Sequence, residues 1–104
     1  GLPGAVYDEH PPLANSSRKP GEWQVYDIVY NAPVCNERGA VIAEGSLTLL
    51  WNGVVVQNQT RLRPHRTGCD PGPLRIQDHA GVKDAPETPI RFRNIWYRSL
   101  DGQP

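Results

Sequence analysis

An Asn52-Gly53 dipeptide separates two runs of β-forming residues, Ser46 to Trp51 (SLTLLW) and Val54 to Asn58 (VVVQN). Both central positions of a type I′ turn need positive φ, which Asn and Gly tolerate and β-branched residues do not. The pattern therefore predicts a β-hairpin with a two-residue loop. A hairpin commits its surroundings to β-structure, because its edges and at least one face need further strands to pair with and pack against.

The rest of the chain agrees with that commitment. Eleven Pro and ten Gly among 104 residues favour many turns and short strands. No window of a dozen residues carries a helical repeat of apolar positions, so the expected class is all-β with five or six strands. The clearest other strand is 22–32, EWQVYDIVYNA, which carries Trp, Tyr and β-branched residues on both of its faces. That two-sided pattern predicts an interior strand. Residues 1–21 hold four prolines and read as a long surface loop with a short strand at 5–7. Residues 34–39 read as a turn, 39–43 as a short strand and 61–73 as a loop. Two further strand-like runs, 73–79 and 89–100, close the chain before a tail at 101–104.

The same composition limits function. Eleven acidic and eleven basic residues give a formal net charge of zero, so no global field attracts nucleic acid or an anionic membrane. No apolar run approaches the roughly 20 residues of a membrane-spanning helix. A Gly-rich phosphate loop, a serine nucleophile elbow and a basic stripe interleaved with aromatics are all missing. Cys35 and Cys69 form either one disulfide closing a long loop or two free thiols beside turn residues, and no CxxC or HxxxH spacing signals a structural metal. At this length the chain is one domain or part of one. Its opening, Gly1-Leu2-Pro3-Gly4, has no Met and lies in a turn-rich stretch, which leads us to expect a piece of a longer protein.

Side chains suited to chemistry gather in the last third. Residues 73–79 end in Gln77-Asp78-His79, and 89–100 set Phe92, Asn94, Ile95, Trp96 and Tyr97 among Arg91, Arg93 and Arg98. His79 is a candidate general base or metal ligand, since imidazole titrates near neutral pH. The plain alternative is a solvated histidine at a strand end. On a regular strand Gln77, not Asp78, shares the side of His79, so Asp78 either acts beyond the strand's end or caps the turn at Ala80-Gly81. Arg91 and Arg93 share one face with Ile95 and Tyr97, where guanidinium forks can bind sugar hydroxyls or polarise a carbonyl oxygen. Cross-strand ion pairing on a solvated face is the competing role. Trp23, Tyr26, Trp51, Trp96 and Tyr97 can stack on a sugar ring, although most large aromatics in a small β-domain belong to its core. His10, beside Asp8 and Glu9 in the opening loop, is a further candidate for substrate contact. Asn15-Ser16-Ser17 and Asn58-Gln59-Thr60 match the N-glycosylation pattern, which short chains also reach by chance.

Three segments in this order, RKPGEWQVYDIVYNAP, LTLLWNGVVVQN and GPLRIQDHAGVKDAPETPIRFRNIWYRSL, resemble the 3-keto-disaccharide hydrolase domain family. The likeness runs from Gly4 to Leu100 and includes the opening GAVYDEHPPLANSSRKPGEW. Cys35 and the loop Asp84 to Thr88 depart from the pattern without touching those segments. The resemblance implies a concanavalin A-like jelly-roll sandwich, antiparallel throughout, of which this chain is the C-terminal portion. It implies cleavage of 3-keto-glycosides, with His79 and Asp78 catalytic and Gln77, Arg91, Arg93, Tyr97 and His10 contacting substrate. It leaves room for a divalent metal. Carbohydrate is the implied partner, self-association or a missing N-terminal half would cover an incomplete core, and members are mostly bacterial and exported to the periplasm or beyond. A non-catalytic carbohydrate-binding sandwich and a fragment without activity of its own are the alternatives.

Overall fold

The computed structural model describes residues 3–6, 9–64, 68–77 and 89–100. These hold five strands: β1 (Tyr26–Asn31), β2 (Val34–Cys35), β3 (Val41–Ala43), β4 (Gly45–Trp51) and β5 (Val54–Leu62). β1, β4 and β5 form one antiparallel sheet in the order β1-β4-β5, and β2 pairs with β3 in a second. The fold is all-β and antiparallel, a portion of a jelly-roll sandwich. The chain divides into two compact units, Gly1–Pro71 and Gly72–Pro104.

The β4–β5 hairpin forms as expected. Trp51 pairs with Val54 across a two-residue loop in which Asn52 and Gly53 have φ of 51° and 80°. Beyond the turn β5 does not run evenly. Leu50 faces Val55 while Leu49 faces Gln57, which leaves Val56 without a directly opposite residue. A second irregularity follows between Leu47 and Leu49, where Gln59 adopts φ of 46° and its N–H donates to Thr48 Oγ1 at 2.9 Å. Bulges re-aim side chains. Here they bury two consecutive residues, Val56 at 0% and Gln57 at 2% exposure, which regular alternation would place on opposite faces.

Leu49, Trp51 and Val56 make the buried core, with Leu62 at the far end of β5. Removing roughly 200 Å² of indole from water is worth on the order of 5 kcal/mol as an upper estimate, so Trp51 is its principal member. The edge of the Tyr26 ring meets Trp51 at 86°, with centroids 5.9 Å apart.

Two expectations need correction, and a third gains detail. β1 is an edge of the described sheet, not an interior strand, and all six of its residues are exposed. Apolar side chains on both faces show that a strand suits burial, but not that a neighbour is at hand. The opening segment is without a strand and mostly exposed among its described residues, and it is held at several points. Val6 bridges to His10, and Leu13 N–H donates to Val56 O at 2.8 Å. Finally, the described parts of the two closing runs, 73–77 and 89–100, form no strand. Their composition suits an extended chain, yet a strand also needs a hydrogen-bonded neighbour. Asn94, at φ of 55°, interrupts the alternation as well.

The two cysteines are joined. The Cys35–Cys69 disulfide spans 34 residues with Cα atoms 6.1 Å apart and ties the end of β2 to the segment after β5.

Candidate functional site

The candidate side chains fall into two groups, one in each unit. In Gly72–Pro104, Gln77, Arg91, Arg93 and Tyr97 are all exposed, with Tyr97 at 86% and the adjacent Trp96 at 77%. Exposed guanidinium groups and aromatic rings are the side-chain types that suit a polyhydroxylated ligand, because rings cover the apolar face of a sugar while the forks take its oxygens. The regular alternation expected to put Arg91, Arg93, Ile95 and Tyr97 on one face is interrupted at Asn94, whose φ is 55°, between the arginines and the last two. Asp78 and His79 lie outside the described residues.

The second group belongs to Gly1–Pro71 and includes His10, which is half-buried. The N–H of His10 donates to Val6 O at 3.0 Å, while its carbonyl accepts from Val6 N–H at 2.8 Å. Next to it the Glu9 side chain is 3% exposed and its carboxylate lies 3.4 Å from Arg63 Nε.

What seats this segment is a set of amide side chains that sequence reading passed over. Gln57 donates from Nε2 to the carbonyls of Gly4 and Pro11, each at 3.0 Å, with the carbonyl of His10 at 3.4 Å. Its Oε1 accepts from Thr60 Oγ1 at 2.7 Å. Asn52 donates to Ser16 O at 2.8 Å and accepts from Val25 N–H at 2.9 Å, while Ser16 Oγ donates to Trp51 O at 2.8 Å. Gln24 Oε1 accepts from the Trp51 indole at 3.0 Å and from Arg18 N–H at 3.1 Å. The one signal in the sequence was an amide in an otherwise apolar run, Gln57 after Val54-Val55-Val56. Gly4, at φ of 79°, allows the segment to lie close, since a Cβ there would stand 3.3 Å from Trp51 Cε3 and 3.4 Å from Val56 Cγ2.

Tyr26 borders the same place. Desolvation raises its phenol above the ordinary tyrosine range, opposed by a backbone hydrogen bond with Gly4. Trp51 is core and leaves the set of sugar-stacking candidates, while Trp23, Tyr26, Trp96 and Tyr97 keep exposed ring surface. No three His, Cys, Asp or Glu side chains converge as a metal site among the described residues. No helix among them is long and apolar enough to cross a membrane.

Comparison with known proteins bears on this arrangement. A model of the family described as the 3-keto-alpha-glucoside-1,2-lyase-like domain matches residues 2–98. The chain belongs to that family. As a 3-keto-alpha-glucoside-1,2-lyase-like domain it is glycosyl hydrolase-like, and the match takes in β1, the β4–β5 hairpin, 73–79 and 89–98. A crystal structure from Parabacteroides distasonis, of a protein provisionally described as a glycosyl hydrolase, is 40% identical with a TM-score of 0.52. The likeness covers 71% of this lyase-like chain and 30% of the solved one, so the chain spans under a third of that protein's length. No curated protein matches significantly.

Proposed function

We propose that the chain is a portion of a domain that cleaves 3-keto-glycosides by elimination. The observation that carries this reading is the family match across residues 2–98, which includes Gln77-Asp78-His79 and the Arg91 to Arg98 run. The C3 ketone acidifies the C2–H bond. His79 takes that proton, the C2–H electron pair forms the C1=C2 double bond, and the C1–O bond breaks with its electrons on the leaving oxygen. That oxygen gains a proton and departs as an alcohol. Water then adds across C1=C2 to give the free 3-keto sugar. Asp78 is the second catalytic residue of this reading, Arg91 and Arg93 stabilise negative charge growing on the C3 oxygen, Gln77 and Tyr97 contact the sugar, and His10, in the other unit, is assigned a substrate contact of its own. No step is assigned to a metal, and a divalent cation enters as an arm of the assay.

The Cys35–Cys69 disulfide supports an exported protein, periplasmic or extracellular, because cytosolic thiols are kept reduced. The partners in this reading are a carbohydrate substrate and, for the apolar side chains that β1 exposes, either other copies of the chain or an N-terminal half of the same domain.

The test is release of the alcohol from a 3-keto-glucoside by folded protein, with EDTA and with added divalent cation. Turnover that His79→Ala abolishes while sugar affinity persists supports the reading. Sugar binding without turnover in wild-type protein would make the chain a carbohydrate-binding module, and neither would leave a fragment without autonomous activity.

A further inference from the structure

We propose that Gln57 is a positioning residue: its carboxamide sets the course of the opening segment across the sheet, and so where His10 stands. The functional half of this inference rests on the substrate contact assigned to His10 above; the geometric half does not.

Gln57 is 2% exposed, and every polar atom of its side chain has a partner. The two N–H groups of Nε2 are directed at carbonyls of a single segment, those of Gly4, Pro11 and, at longer range, His10. Three carbonyls converging on one nitrogen admit only a donor there. Thr60 Oγ1, donating to Oε1 at 2.7 Å, holds the amide in the orientation that keeps the donor toward them. The Val6–His10 bridge closes the chain between those acceptors, and Leu13 N–H on Val56 O fastens its far side. If filling volume were the only demand, an apolar side chain would serve beside Val56. A fully satisfied buried amide instead specifies one geometry, because any shift of the segment leaves donors or acceptors unpaired away from water.

The experiment combines amide hydrogen exchange by NMR with steady-state kinetics on a 3-keto-glucoside, for wild type, Thr60→Val, Thr60→Ser and Gln57→Leu. Thr60→Val is expected to speed exchange at Val6, His10 and Leu13 roughly fivefold, the effect of one neutral hydrogen bond, and to leave β4 amides within about twofold. Thr60→Ser restores protection. KM rises by a similar factor in Thr60→Val with kcat held, a split that general destabilisation would not produce. Unchanged exchange at those three amides in Thr60→Val overturns the positioning role, and this variant decides even if Gln57→Leu fails to fold. Faster exchange with KM unmoved overturns the link to substrate. A wild-type chain without turnover refutes the proposed reaction, and the exchange rates then decide the geometric half alone.

Discussion

Replacing both Cys35 and Cys69 by Ala removes a cross-link whose effect follows from its span. Closing a loop of 34 residues deprives the unfolded chain of about 13 cal/mol/K, which is about 3.8 kcal/mol at 25 °C in the chain-entropy account. A chain of 104 residues unfolds with roughly 220 cal/mol/K near its midpoint, so the double variant should melt about 17 °C lower. The stabilisation acts on the unfolded state, which makes a second expectation independent of the first. Without the cross-link the unfolded ensemble is more open, and the urea m-value should rise. Calorimetry and urea unfolding of wild type, reduced wild type and the double variant measure both, and the last two samples should agree. A drop in Tm under about 3 °C, or two thiols reactive in the native protein without reductant, would refute the reasoning.

Gly45→Ala should cost about 1–3 kcal/mol by urea midpoint, since the new Cβ would stand 2.7 Å from Asn31 O and 3.1 Å from Pro33 N, backbone atoms that cannot swing aside. Asn52→Gly keeps the φ of the turn but loses the bonds to Ser16 and Val25, for about 1–2 kcal/mol, and Asn52→Ala should lose about 1 kcal/mol more through positive φ. Melting temperatures in the order Asn, Gly, Ala check this, and Ala above Gly would contradict the turn geometry. For Tyr26 the folded phenol is raised, so the protonated ring is favoured on folding and its contribution is complete below pH 10. Stability should then fall as pH climbs from 10 through the folded value, and Tyr26→Phe should flatten that alkaline limb in pH-dependent melts.

What could be read from the sequence divides by the range of the interactions involved. The hairpin was legible because Asn52 and Gly53 carry their own conformational preference and their strands are adjacent in the chain. β1 was legible as a strand from its β-formers but not as an edge, since periodicity reports side-chain directions and says nothing about which neighbour is present. The described parts of the two closing runs, 73–77 and 89–100, form no strand for a related reason: residue type can make an extended chain but cannot provide a ladder. Cys35 and Cys69 left two readings open because spacing does not encode pairing.

The largest omission was the amide network, and its range explains why. Gln57 meets Gly4 and Pro11 across 53 and 46 residues, and Asn52 meets Ser16 across 36. No local preference foreshadows such contacts. Yet the cost of burying an amide gives the sequence one usable sign. A Gln directly after Val54-Val55-Val56, in a strand whose partner supplies Leu49 and Trp51, is either at the surface or holding something. Two bulges turn it inward, so it must hold something. The proline-rich segment at the start of the chain has few ways to satisfy its own carbonyls, because its prolines donate no N–H. A buried donor in β5 and an acceptor-rich loop thus complement one another. That match explains how a segment without regular structure is seated against the sheet.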